Sequence, residues 1–133
     1  MRTCFADSFY FLALLNPKDA AHDKVAAVSL KFRGQMVTTE WVITEVADAM
    51  AAPGNRQLFE QFFRELRANP DIVVVPADTD LFSRGMEFYF RYADKDWPLT
   101  DCVSFVVMNE KRIKEALTGD RHFEQAGFRA LLR

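Results

Sequence analysis

The stretch PDIVVVPADTD, residues 70–80, decides how the rest of the chain is read. Four β-branched residues in a row, Ile72 to Val75, stand between Pro70 and Pro76 with no polar alternation, the pattern of a strand buried on both faces. Helical patterns flank it. Residues 55–68 repeat Leu58, Phe59, Phe62, Phe63 and Leu66 at helical spacing, Pro70 ends that run, and residues 78–92 are helical again. A strand set between helices needs crossover connections to its neighbours, so its sheet is mostly parallel and covered by helices.

The same alternation extends outward. Residues 3–6 predict a strand that ends at Asp7, followed by a short helix through Leu15 and a helix over about residues 19–32. Residues 36–38 predict a second strand, leading into a helix over about residues 40–51 that stops at Pro53-Gly54. Beyond the polar connection 94–98 come a helix over 99–111, a strand at about 115–118, a short helix from Arg121 and a last strand around 128–131. The expected fold is α/β, one domain over residues 1–133, with a mostly parallel central sheet in three α/β/α layers.

Composition narrows the function classes. Half of the 133 residues are hydrophobic and 27% are charged, enough for a sizeable core and unlike a disordered chain. Seventeen Lys plus Arg against nineteen Asp plus Glu leave a net charge of -2, which excludes a nucleic-acid or membrane binder that works through a broadly basic face. The only cysteines, Cys4 and Cys102, show no metal-ligand spacing and are expected to be free, buried thiols in a reducing cytoplasm. The apolar run FYFLALL, residues 9–15, has only Arg2 as a basic flank, lacks a cleavage site and is too short to cross a bilayer.

In open parallel sheets ligands bind at the carboxyl ends of the strands. Asp7 ends the first strand, and Asp120 follows the strand that closes on Thr118-Gly119. Each also has a plain explanation as the N-cap of the helix after it. Asp101 lies in the first turn of its helix with Ser104, Phe105 and Met108 on the same face, in a helix that is apolar nearly all round. The helix dipole favours an acid there but does not account for its enclosure. Glu45 borders the stripe of Val42, Val46 and Ala49, where a solvated side chain is the commonest explanation. No buried Lys or Arg is evident in these elements to match the acids. If Asp7, Glu45, Asp101 and Asp120 converge, repulsion and desolvation raise their pKa values or require a divalent cation. Oxygen ligands select hard ions such as Mg²⁺ or Mn²⁺, which suit phosphodiester hydrolysis.

Four segments together resemble the PIN-domain family of nucleases: FADSFYFLALL (5–15), TTEWVITEVADAM (38–50), DWPLTDCVSFVVM (96–108) and LTGDRHFEQAGF (117–128). Their order and spacing cover nearly the whole chain, and at this length it is most similar to the small VapC-type toxins of toxin-antitoxin pairs. The resemblance implies an endoribonuclease dependent on Mg²⁺ or Mn²⁺. It makes Asp7, Glu45, Asp101 and Asp120 the metal-binding catalytic acids, with Ser8 and Ser104 as supporting hydroxyls. It also implies an RNA substrate, a homodimer and a small protein antitoxin; an acidic cleft is readily blocked by a cationic side chain, so a basic residue of that antitoxin is expected to enter among Asp7, Glu45 and Asp101. Cys102 stands where Ala is more usual and Pro98 where Ser often opens the helix. Asp96 matches an extra acid that some relatives carry, although a solvated loop residue is its commoner reading.

Other chemistries fail on residues. His22 and His122 lack a Ser or Cys nucleophile in a recognisable motif and read as surface or core histidines. No glycine-rich phosphate loop is present. Position 9 is Phe, where a haloacid-dehalogenase-like phosphatase needs a second Asp. The alternative from another class is a non-catalytic module of the same fold acting through protein contacts, in keeping with thirteen Phe. Lys18, Arg56, Arg84, Arg91, Lys95 and Arg121 are candidate phosphate contacts or plain surface charges.

Overall fold

The computed structural model of the chain describes residues 2–133. In chain order the elements are β1 (Thr3–Ala6), α1 (Ser8–Leu15), α2 (His22–Lys31), β2 (Gln35–Thr39), α3 (Glu40–Ala49), α4 (Pro53–Ala68), β3 (Ile72–Val75), α5 (Thr79–Arg91), α6 (Leu99–Lys111), β4 (Glu115–Leu117), α7 (Arg121–Gln125) and β5 (Arg129–Ala130). The five strands form one sheet in the order β3-β2-β1-β4-β5, and all four pairings are parallel.

The order of the strands fixes the layers. From β1 the chain steps to β2 and then β3 in one direction, then returns across the sheet to β4 and β5 on the far side of β1. Parallel crossovers are right-handed, so α1 to α4 cover one face of the sheet and α5 to α7 cover the other. The direction of winding reverses between β1 and β4, and the carboxyl ends of those two strands carry Asp7 and the Thr118-Gly119-Asp120 turn. Open sheets form their ligand crevice at such a switch point.

Packing holds this point rigid. Residues Asp101 to Met108 of α6 are all buried, in agreement with its apolar circumference. Phe105 is fully enclosed and meets Phe123 of α7 edge to face at 5.0 Å and Trp97 at 5.1 Å. Helix α5 reaches α6 closely because position 85 is glycine, where an added Cβ would stand 2.5 Å from Val103 Cγ2. Cys4 and Cys102 are free and buried. No helix among the described residues is long and apolar enough to cross a membrane.

Three local expectations are corrected. Ile72–Val75 is a strand, but it lies at the sheet edge and all four residues are half-buried, so the unbroken apolar run reflects an edge tucked beside α4 rather than a central strand. Helix α2 begins at His22 rather than near residue 19, because Asn16 and Asp19 accept hydrogen bonds from the amides of Lys18 (3.0 Å) and Ala21 (2.8 Å) and fold residues 16–21 into successive turns. Pro53 opens α4 instead of only closing α3, since a proline in the first turn loses no helical hydrogen bond.

Candidate functional site

Asp7 leaves β1 at the centre of the sheet and is only 3% exposed. Its side chain makes no cap hydrogen bond to α1, so the simple capping explanation fails for it. One carboxylate oxygen, Oδ2, accepts the Thr118 hydroxyl at 2.9 Å, while Oδ1 is buried with no hydrogen-bond partner. Burial chiefly, then the charges of Asp101 and Glu45, push its pKa up to about 7 against the partial relief given by Thr118 and the neighbouring Ser8 amide. A buried acceptor without a donor is costly and calls for an explanation.

Thr118 ties two strand ends together. Its hydroxyl donates to Asp7 and accepts the Asp120 amide at 3.0 Å. Asp120 caps α7, its Oδ1 accepting the His122 amide at 2.9 Å, so here the capping role and proximity to the crevice coexist. Gly119 between them leaves room for the ring of Phe9, whose Cζ would lie 2.5 Å from a Cβ at that position. Thr38 in β2 adds a further tie, donating to the Ala6 carbonyl at 2.8 Å beside Asp7.

Asp101, 5% exposed, approaches from α6. Its Oδ2 lies 3.0 Å from His122 Nδ1, and the same nitrogen is 3.4 Å from Asp120 Oδ1. Ligand atoms of Asp101, Asp120 and His122 all lie within 4.8 Å of one another. Burial raises Asp101 to about 6, with the charges of Asp120 and Glu45 adding to it and His122 opposing. Glu45, half-buried on α3, is close enough for its charge to reach both Asp7 and Asp101.

Asp101 and Asp120 thus come together at His122, Asp7 is joined to the same turn through Thr118, and Glu45 is near enough for its charge to act on Asp7 and Asp101. Their donors are hard oxygens, one of them is orphaned in the interior, and two are held well above the usual carboxylate range. That set fits a hard divalent cation, whose charge would relieve the repulsion and satisfy Asp7 Oδ1.

The PIN domain family matches residues 4–129, nearly the full chain. The chain belongs to the PIN-domain family. Among curated proteins it is similar to the 23S rRNA-specific endonuclease VapC20 of Mycobacterium tuberculosis, 26% identical over 125 residues that span 93% of this chain and 94% of that one. Among solved structures the fold of this PIN domain is that of M. tuberculosis VapC20, described as a sarcin-ricin loop cleaving toxin, with TM-score 0.84, 23% identity and coverage of 94% and 95% of the two chains. FitAcB from Neisseria gonorrhoeae is a more distant neighbour, with TM-score 0.67, 13% identity and coverage of 98% and 96%.

The remaining candidates of this PIN domain take varied places. Ser8 opens α1 beside Asp7 and is half-buried. Ser104 is fully buried, but its hydroxyl donates to the Thr100 carbonyl at 3.0 Å, one turn back in the same helix. Asp96 is exposed in the connection before α6. Cys102 packs as a small buried residue, its thiol pushed up to about 11 by burial and by the charge of Asp101. Arg84 is committed to Glu110 at 2.8 Å and to Asp80. Lys95 pairs with Asp94 at 3.5 Å, and Arg56 donates to the Ala51 carbonyl at 2.7 Å. Arg121 is exposed directly beside Asp120. His122, expected as a surface or core histidine, is mostly enclosed, and its ring stands between two of the acids. The signal was its place two residues after the capping Asp120, where a ring in the first helical turn meets the cap carboxylate.

Proposed function

We propose that this protein is a metal-dependent endoribonuclease, the toxin of a toxin-antitoxin pair, and that it cleaves RNA phosphodiester bonds at the crevice between β1 and β4. The observation that carries this reading is the convergence of Asp7, Asp101 and Asp120, with Glu45 alongside, around a buried carboxylate oxygen that has no protein partner. These four acids hold Mg²⁺ or Mn²⁺. A bound ion of this kind activates water and offsets charge on the phosphate and the leaving oxygen. Asp7 and Asp101 supply the most enclosed carboxylates, and Asp120 and Glu45 close the rim. Ser8 supports Asp7 at the start of α1, and Ser104 stiffens the first turns of α6 under Asp101 through its bond to Thr100. Arg121, exposed beside Asp120, is placed to receive a substrate phosphate.

Ribosomal RNA is the first substrate to test, because the curated relative VapC20 is a 23S rRNA-specific endonuclease. The protein acts as a homodimer in the cytoplasm and is held inactive by a small antitoxin. A cationic side chain of that antitoxin fits the acidic crevice, where it would satisfy the carboxylates in place of an ion. The test is cleavage of end-labelled RNA hairpins, one of them a sarcin-ricin stem-loop, with Mg²⁺, with Mn²⁺ and with excess chelator. Cuts that require the ion and disappear in chelator are expected. Full cleavage in chelator, or none in either ion, would sink the proposal.

A further inference from the structure

We infer that His122 is a positioning residue of the acidic site: its ring Nδ1 holds Asp101 while its backbone amide holds Asp120, and together they fix the spacing of two carboxylates before an ion arrives. The inference rests on the metal-dependent reading above and deepens it by assigning a role to a side chain outside the acid set.

The geometry is specific. Nδ1 lies 3.0 Å from Asp101 Oδ2 and 3.4 Å from Asp120 Oδ1. An ionised carboxylate only accepts, so the tautomer that pairs with ionised Asp101 is the one with its proton on Nδ1. In that tautomer the Nδ1 edge is turned to Asp101 and has no lone pair left for an ion.

The ring is a fixed object rather than a mobile side chain. Its backbone amide donates to Asp120 Oδ1 at 2.9 Å, which seats it in the first turn of α7, and its side chain is only 17% exposed. Helix α7 is anchored beyond His122 by the fully buried Phe123 and by Gln125, whose Oε1 accepts Trp97 Nε1 at 3.0 Å. Below the crevice Thr118 joins Asp120 to Asp7 in the same manner, through bonds of 3.0 and 2.9 Å. Thr118 thus spans β1 and β4, and His122 spans α6 and α7. Together they tie three of the four acids into one frame. Without the ring, Asp101 loses its partner beside the charge of Asp120, which stays in place as the cap of α7. Partners of this kind around metal ligands are worth about 10- to 100-fold in metal affinity.

The test uses side chains that reproduce one ring edge at a time. Asn at position 122 places an amide N–H near Nδ1, Gln reaches toward Nε2, and Phe keeps the ring without a donor. Mn²⁺ is titrated into the metal-free full chain by calorimetry, and each variant's melting temperature is recorded. His122→Phe is expected to weaken Mn²⁺ binding by about tenfold or more while remaining folded. His122→Asn should stay within about threefold of the parent, and His122→Gln should fall with Phe. The Mn²⁺ concentration for half-maximal RNA cleavage should rise by the same factor in the Phe variant, and saturating Mn²⁺ should restore most of its kcat. Parent-like Mn²⁺ binding by His122→Phe overturns the positioning role and leaves the nuclease reading standing. So does an Asn variant as weak as the Phe one, because the ring would then act through Nε2 or by shape. Absence of Mn²⁺ binding in the parent overturns both.

Discussion

The two ends of the central sheet treat carboxylates in opposite ways. At the amino end Glu115 of β4 sits between two guanidinium groups, Arg2 at 3.0 Å and Arg129 at 3.4 Å, with the side chains of all three open to water to some degree. At the carboxyl end Asp7 and Asp101 are nearly sealed, Asp120 and Glu45 stand beside them, and His122 is the ring that meets them. One end meets its acid with two cations, and the other concentrates acids and leaves Asp7 Oδ1 without a partner. A net charge of -2 reports neither arrangement, because the imbalance is local. It marks that end of the sheet as the place where the proposed ion would balance the charge.

The sharpest way to break this contrast is to remove acids at each end and measure RNA cleavage. Asp101→Asn or Asp7→Asn should lower the cleavage rate by about 10²- to 10³-fold or more, on the scale of losing one main electrostatic contributor in an active site. Glu115→Gln should cleave at the parental rate. Equal rates for all three proteins would remove the functional distinction between the two ends.

Stability of the metal-free protein should move the other way. Asp7 is held up to about 7 in the fold against an ordinary value of 3.8, so the native state binds its proton more tightly than the unfolded chain does. With a raised carboxylate pKa, this contribution favours the fold below about pH 4 and is lost as pH rises through the window from about 4 to 7. Asp101, raised to about 6, acts in the same sense over a narrower range. Urea titrations without metal should therefore show stability falling across that window. Asp7→Asn should flatten the fall and gain on the order of 4 kcal/mol at pH 7.5. With saturating Mn²⁺ the parent should recover at high pH, because the ion and the protons compete for the same oxygens.

Gly119→Ala tests the turn that presents Asp120. Its Cβ would collide with the Phe9 ring, so a loss of about 1–3 kcal/mol is expected, along with reduced cleavage as the turn shifts. Replacing Phe9 by Leu in the same protein should return part of both. The smallest effect belongs to the amino end, where Glu115→Gln should change stability by less than about 1 kcal/mol, as exposed ion pairs do.

Much of this was legible in the chain. Alternating strand and helix patterns located every element, and α6 carries the bounds 99–111 that its periodicity predicts. Edge and centre were not separable, because Ile72 to Val75 reads the same whether α4 covers it at the margin or helices cover it in the middle. The acids were visible one by one, and the quoted segments carried their resemblance to PIN domains. Their mutual placement was not, since it depends on Thr118 reaching Asp7 across 111 positions of sequence. His122 was missed for a related reason: a histidine near an acid in sequence is common, and only the approach of α6 brings Asp101 to its other side.

The prolines around β3 bear on how the protein behaves in a crowded solution. An edge strand offers its outward amides and carbonyls to any extended chain that collides with it, and an apolar one is a template for aggregation. Here the exposed ladder is only Ile72–Val75, and Pro70 and Pro76 lie just beyond its two ends. Neither proline has an amide to donate, so an incoming strand could form a ladder only about as long as β3 itself before its pairing is interrupted. A short, proline-bracketed edge keeps the most β-prone segment of the chain from recruiting its own copies.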